Sequence, residues 1–247
     1  MPEQHEQRKP PRQPVIWHPS PNFGDRPPGS TIDMLVLHYT GMPSGEMALA
    51  RMCDPASQVS AHYMVEENGC IYQLVAESKR AWHAGRGQWR GCTDINSSSI
   101  GIEIVNPGHE FGYRPFAVAQ IDAVIALCQE ILGRYNIPAH HIIAHSDMAP
   151  ERKEDPGELF PWQHLAENGI GLWPTASPEQ HMTETTDNDC ETLFDGLLQQ
   201  FGYGPEHGIN NRIAFQRHWR PNCLDGRADG QSIAILQDLI KRSAPQT

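Results

Sequence analysis

The sequence predicts an α/β or α+β domain built over a central sheet, followed by a small C-terminal three-helix domain. Three observations predict it. Short apolar runs with strand character alternate with one long helical pattern. A polar stretch without helical or strand periodicity interrupts the chain near residue 175. Beyond that stretch only helical patterns recur.

Residues 1–30 read as an extended, proline-rich lead-in. Thr31–Thr40 (TIDMLVLHYT) is an apolar run that ends in polar residues, and it reads as a strand. Glu46–Met52 fits a short helix. His62–Val65 and Ile71–Val75 flank Glu66-Glu67-Asn68-Gly69, a hairpin turn in which Asn-Gly tolerates positive φ. Ser99–Val105 (SIGIEIV) alternates as a strand does. Gln120–Tyr135 carries Ile121, Val124, Ile125, Leu127, Cys128, Ile131, Leu132 and Tyr135 at helical spacing. Asn136 and Pro138 suit its end. Ile142-Ile143-Ala144 reads as a short strand that delivers His145 to a loop. Residues 175–189 read as a linker. In residues 190–247 the patterns Leu193–Phe201, Asn211–Trp219 and Ser232–Ile240 read as three helices. Their apolar faces bury Leu193, Phe194, Leu197, Leu198, Phe201, Ile213, Phe215, Trp219, Ile235, Leu236 and Leu239 if they meet.

The chain has 247 residues and a net charge of −11, with neither half basic. Nucleic-acid affinity comes largely from clustered positive charge, so a nucleic-acid partner is not expected. Attraction to an anionic membrane is disfavoured for the same reason, and no apolar run approaches the ~18–20 residues that span a bilayer. Residues 1–30 lack the apolar core of a secretory signal. The six cysteines form no CxxC and no compact framework. Both features favour a cytoplasmic setting, with the periplasm as the alternative if a leader has been removed.

Three positions stand out as candidate metal ligands. His38 ends the first strong strand, His145 follows Ile-Ile-Ala, and Asp155 lies ten residues beyond it. Two histidines and one carboxylate leave a tetrahedral position open for water, as a catalytic zinc site needs. The alternative reading of the spacing is thirteen histidines scattered by chance. Glu103 sits mid-strand between Ile102 and Ile104, on the opposite face. It is either a solvated residue of a half-exposed strand or a desolvated carboxylate suited to general-base work. Lys153 is either a solvated member of the charged run 151–155 or an ammonium placed to stabilise an oxyanion.

Five motifs occur in order: VLHYT (36–40), VSAHYMVEENG (59–69), AWHAG (81–85), SIGIEIVNPG (99–108) and HSDMAPERKEDPG (145–157). Together they resemble the zinc-dependent N-acetylmuramoyl-L-alanine amidase family, related to phage T7 lysozyme and peptidoglycan recognition proteins. The AmpD/AmiD-type branch is the best fit. The resemblance covers residues 14–174, the amidase domain, which takes in part of the lead-in. Residues 190–247 resemble the small peptidoglycan-binding domain attached to AmiD-type enzymes.

The resemblance implies a mixed central β-sheet flanked by helices, and an enzyme. It implies that His38, His145 and Asp155 bind Zn²⁺, that Glu103 activates water, and that Lys153 stabilises the tetrahedral intermediate. Where T7-lysozyme-like members carry a catalytic tyrosine, this chain has Ala61, so the glutamate-dependent version is expected. The bond cut would join the lactyl group of N-acetylmuramic acid, or its anhydro form, to L-alanine of the stem peptide. Muropeptides or peptidoglycan fragments are the expected partners, and peptidoglycan recycling is the expected role. A periplasmic wall-fragment amidase and a non-catalytic peptidoglycan-binding module are the alternatives. His62, Trp82, His83, Asn106 and Arg152 are weaker candidates for substrate contact. Oligomeric state is left open.

Overall fold

The structure is a computed structural model that describes residues 14–175 and 187–244. Most of the 175–189 linker and residues 1–13 of the lead-in lie outside the described residues.

The sheet is built from β1 (Val15–Trp17), β3 (Met34–Tyr39), β4 (Tyr63–Val65), β5 (Ile71–Gln73), β7 (Ser99–Ile104) and β8 (Ile142–Ala144), in the order β1-β5-β4-β7-β3-β8. Only the β4–β5 hairpin is antiparallel, so the sheet is mixed. A separate ribbon pairs β2 (Phe23–Asp25) with β6 (Lys79–Ala81). The lead-in therefore contributes structure, because β1 adds an edge strand beside Ile71–Gln73.

The central strands bury both faces, as expected of parallel strands with a layer on each side. On one face Leu35, Leu37, Ile100, Ile102 and Ile104 pack against Val124, Cys128 and Ile131 of α4 (Val118–Arg134). On the other, Met34, Val36 and Ile143 join a cluster that includes Trp89, Met148, Phe201, Phe215 and Trp219. The apolar residues on that side come largely from three helices, α7 (Asp187–Phe201), α8 (Ile209–Trp219) and α9 (Gly230–Ser243). Thus the C-terminal helices share one core with the sheet. Leu193, expected in that core, is 46% exposed instead, because it lies on the side of α7 turned away from Phe194 and Leu198, which fill the core.

Short helices complete the chain: α1 (Gly45–Cys53), α2 (Ile95–Ser98), α3 (Gly108–Phe111), α5 (His145–Met148) and α6 (Trp162–Glu167). The Ser44 hydroxyl caps α1 by accepting the Met47 N–H, and Asp229 caps α9 in the same way at Ser232. Such caps satisfy N–H groups that the helix itself leaves unpaired. His145 was expected in a loop. It opens α5 instead, and the Asp147 carboxylate accepts the Ala144 N–H to close that first turn.

Candidate metal centre

Parallel strands β7, β3 and β8 lie side by side, and their carboxyl ends point the same way. His38 and Glu103 are direct register partners. Leu37 pairs with Ala144, so His145 follows one residue past that pair. Three elements thus bring chemistry to one edge, which is where open α/β sheets bind ligands. The loop after α5 returns Asp155 to the same point.

His38 Nδ1, His145 Nδ1 and Asp155 Oδ2 form a buried triangle with sides of 2.9, 3.0 and 3.0 Å. Hydrogen bonding fixes which ring atoms carry protons. Ser99 Oγ donates its only proton to the Ile95 carbonyl at 2.6 Å, so it accepts from His83 Nε2 at 3.1 Å. Burial and the neighbouring histidines push His83 well below the ordinary histidine range, which keeps it neutral. Its Nδ1 therefore accepts from His38 Nε2 at 3.0 Å. Burial, with His145 beside it, lowers His38 to about 4, so it too is neutral, and its Nδ1 presents a lone pair. His145 Nε2 donates to the Ala84 carbonyl at 2.9 Å, which leaves its own Nδ1 as the acceptor.

Three lone-pair atoms thus converge with no proton among them, an arrangement that repels itself unless a cation sits there. The spacing is close to the ~3.3 Å edge of a tetrahedron with ~2.0 Å metal–ligand bonds. The second ring nitrogens are tied to a carbonyl and to a further histidine, as ligating imidazoles require. The residues fit a metal ion.

Glu103 and Lys153 line a cleft of 360 Å³ beside this cluster, together with Trp82, His83 and Arg152. Glu103 Oε2 is shielded from solvent and has no hydrogen-bond partner. Burial, then the Asp155 charge, push its carboxyl well above the ordinary range, and Lys153 pulls the other way. Lys153 makes no ion pair among the described residues, so its charge is available to the cleft.

The weaker substrate candidates divide. Trp82, half-buried, walls the cleft. His83 also reaches it, and it orients His38 as well. Arg152 borders the cleft, but its guanidinium is tied to the Ala84 and Arg86 carbonyls. His62 and Asn106 do not reach the cleft. His62 is fully buried, accepts the Gly101 N–H at 3.0 Å and donates to the Lys79 carbonyl at 3.1 Å. Asn106 braces its own loop through Gly108 N–H and the Arg114 carbonyl. His62 Nε2 also lies 3.1 Å from the Arg26 guanidinium, and the Asn106 amide is spent on backbone groups.

Sequence reasoning also missed Ser99, the anchor of the histidine chain, and the Tyr39–His109 pair at the cleft rim, joined at 3.0 Å. Tyr39 sits inside a quoted motif, whereas His109 carries no sequence signal. Gly101 is explained by close approach, because a Cβ there would lie 2.4 Å from the His83 ring.

A mixed sheet with a buried His-His-Asp cluster at its carboxyl edge, beside an open cleft, describes a hydrolase of the metal-dependent amidase kind. Residues 28–158 match the family model for N-acetylmuramoyl-L-alanine amidase, and the chain belongs to that family. It is 40% identical over 233 residues to the N-acetylmuramoyl-L-alanine amidase AmiD of Escherichia coli K12, covering 85% of this chain and 83% of that protein. The 1,6-anhydro-N-acetylmuramyl-L-alanine amidase AmpD of Enterobacter cloacae is 34% identical over 164 residues, covering 60% of this chain and 86% of that one. The solved structure of E. coli AmiD with anhydro-N-acetylmuramic acid-L-Ala-D-γ-Glu-L-Lys superposes with a TM-score of 0.76 at 37% identity, over 90% of this chain and 98% of that one. Pseudomonas aeruginosa AmpDh3 gives 0.72 at 30% identity, over 91% and 95%. The expected enzyme class and the mixed sheet flanked by helices both stand.

Proposed function

We propose that this amidase uses Zn²⁺ held by His38, His145 and Asp155 to cut the amide between the lactyl group of N-acetylmuramic acid, in its anhydro form above all, and L-alanine of the stem peptide. The observation that carries the reading is the set of three converging lone pairs beside the unpartnered Glu103 carboxylate. Bound there, zinc supplies Lewis-acid polarisation and lowers the pKa of a water to about 7. Glu103 takes the proton of the attacking water and passes it to the leaving nitrogen. Lys153 offsets negative charge as it builds on the carbonyl oxygen. His83 and the Ala84 carbonyl hold the two imidazoles in the ligating tautomer. Trp82 and Arg152 border the space that the sugar and stem peptide would fill.

The ligands in the AmiD complex and in the complex of AmpDh3 with anhydromuramic pentapeptide support an anhydro-muropeptide substrate. A recycling role follows from it, and the cytoplasm is the compartment we propose for recycling a soluble fragment. No helix among the described residues is long and apolar enough to cross a membrane. The test is mass spectrometry of products from a defined anhydro-muropeptide and from intact sacculi, with zinc-loaded protein. Free stem peptide from the soluble fragment alone supports recycling. Release from both shifts the role to wall fragments and the compartment to the periplasm. No release from either, with zinc confirmed in the protein, overturns the assignment.

A further inference from the structure

The segment that carries His145 and Asp155 is gripped from outside by the C-terminal helices. Asp147, two residues after His145, is fully buried. Its Oδ2 accepts the Ala144 N–H at 2.8 Å and His218 Nδ1 at 2.6 Å, and its Oδ1 accepts the Tyr203 hydroxyl at 2.6 Å. Tyr203 follows α7 and His218 lies in α8, so two separate C-terminal elements meet on one carboxylate.

Both donors are themselves held in place. The His218 ring lies between Trp162 and Trp219, with ring centroids 3.7 and 3.5 Å away. The Tyr203 ring packs edge-on against Trp89 at 5.1 Å. Burial, then Asp147, push the Tyr203 phenol well above its ordinary range, so it remains the donor. Further along the segment, Glu151 lies 3.3 Å from His207 Nδ1, and Arg217 reaches Glu154 and Glu158 at 3.4 and 3.6 Å. These contacts flank Lys153 and Asp155 on both sides.

We propose that Asp147 is a positioning residue for His145, and that Tyr203 and His218 lock it, so that the C-terminal helices set the geometry of the metal centre. This rests on the reading of His145 as a metal ligand. Asp147 fixes the backbone turn from which the His145 ring projects. A ligand triangle with 3.0 Å sides tolerates little displacement before one donor is lost. The groups that orient a metal ligand commonly change metal affinity ten- to a hundredfold when altered. Asp147 acts through the backbone, so the low end applies.

The test is zinc affinity of the full chain, measured by competition with a chromophoric chelator, alongside thermal melting. Asp147→Asn, which leaves one acceptor oxygen for three donors, is expected to weaken zinc binding about tenfold. Tyr203→Phe, which keeps the ring on Trp89, is expected to weaken it about threefold or more. Leu236→Ala, a cavity in the buried face of α9, is expected to lower the melting temperature while zinc affinity stays within twofold. If Asp147→Asn does not fold, Tyr203→Phe decides. Zinc affinities within twofold of wild type in both variants overturn the inference, as does an equal loss in Leu236→Ala. Wild-type protein that binds no zinc overturns the metal reading itself, and the inference with it.

Discussion

Ser99→Ala tests the histidine chain at the end far from the cluster. Ser99 is fully buried and touches none of the three ligand atoms. Its loss leaves the His83 Nε2 proton without an acceptor, which costs about 1–3 kcal/mol for a buried donor. His83 escapes that cost by carrying its proton on Nδ1, and His38 must then accept at Nε2. That places a proton on His38 Nδ1, inside the ligand triangle. Metal binding has to reverse the exchange, so affinity falls by the same free energy. At 1.4 kcal/mol per factor of ten, zinc affinity drops about 5- to 150-fold. Chelator competition measures it, and Co²⁺ substitution would report a changed ligand field. Affinity within twofold of wild type would refute the tautomer argument, because the cluster would then not depend on the chain behind it.

Glu103→Gln is expected to keep the metal and to lower kcat by about 10²–10⁴, the usual worth of a positioned base; retained turnover on a muropeptide would remove Glu103 from the mechanism. His62 titrates at about 4 in the folded chain, pulled down chiefly by burial, against about 6.5 unfolded. The unfolded chain therefore takes up a proton first, and stability is lost as pH falls from 6.5 towards 4. Between pH 7 and pH 5 His62 alone accounts for about 2 kcal/mol. Urea unfolding of wild type and His62→Gln at both pH values measures it, and an identical pH slope in the two would refute the assignment.

Legibility followed length and adjacency. Strand β3, strand β7 and helix α4 each carry six or more residues of unbroken pattern, enough for period to declare itself. Strands of three residues show no period: β4 and β5 were legible through the Asn-Gly turn between them and β8 through its unbroken apolar run, whereas β1, β2 and β6 lack both signals. His38, Glu103 and His145 were readable because each sits at or near a strand end inside a motif. The parts played by Ser99, Ala84 and Asp147 were not, because they depend on hydrogen bonds between elements far apart in sequence. The bracing parts of His62 and Asn106 are hidden for a related reason, since a motif residue that braces backbone looks in sequence like one that faces a ligand. Strand β3 carries a further signal. Met34 to Leu37 is apolar at every position, which means both faces of β3 are covered. A second layer was therefore required, and the C-terminal helices supply most of it.

The seam between that strand and the tail limits modularity. Met34, Val36, Trp89, Ile143 and Met148 find their partners in helices more than forty residues further along the chain. A protein cut after Thr175 would show that whole surface to water, a sticky patch of the kind that drives self-association. Grafting residues 187–244 onto another enzyme would likewise carry half of a core without its mate. Domain shuffling, in this protein, has to move the receiving face along with the helices.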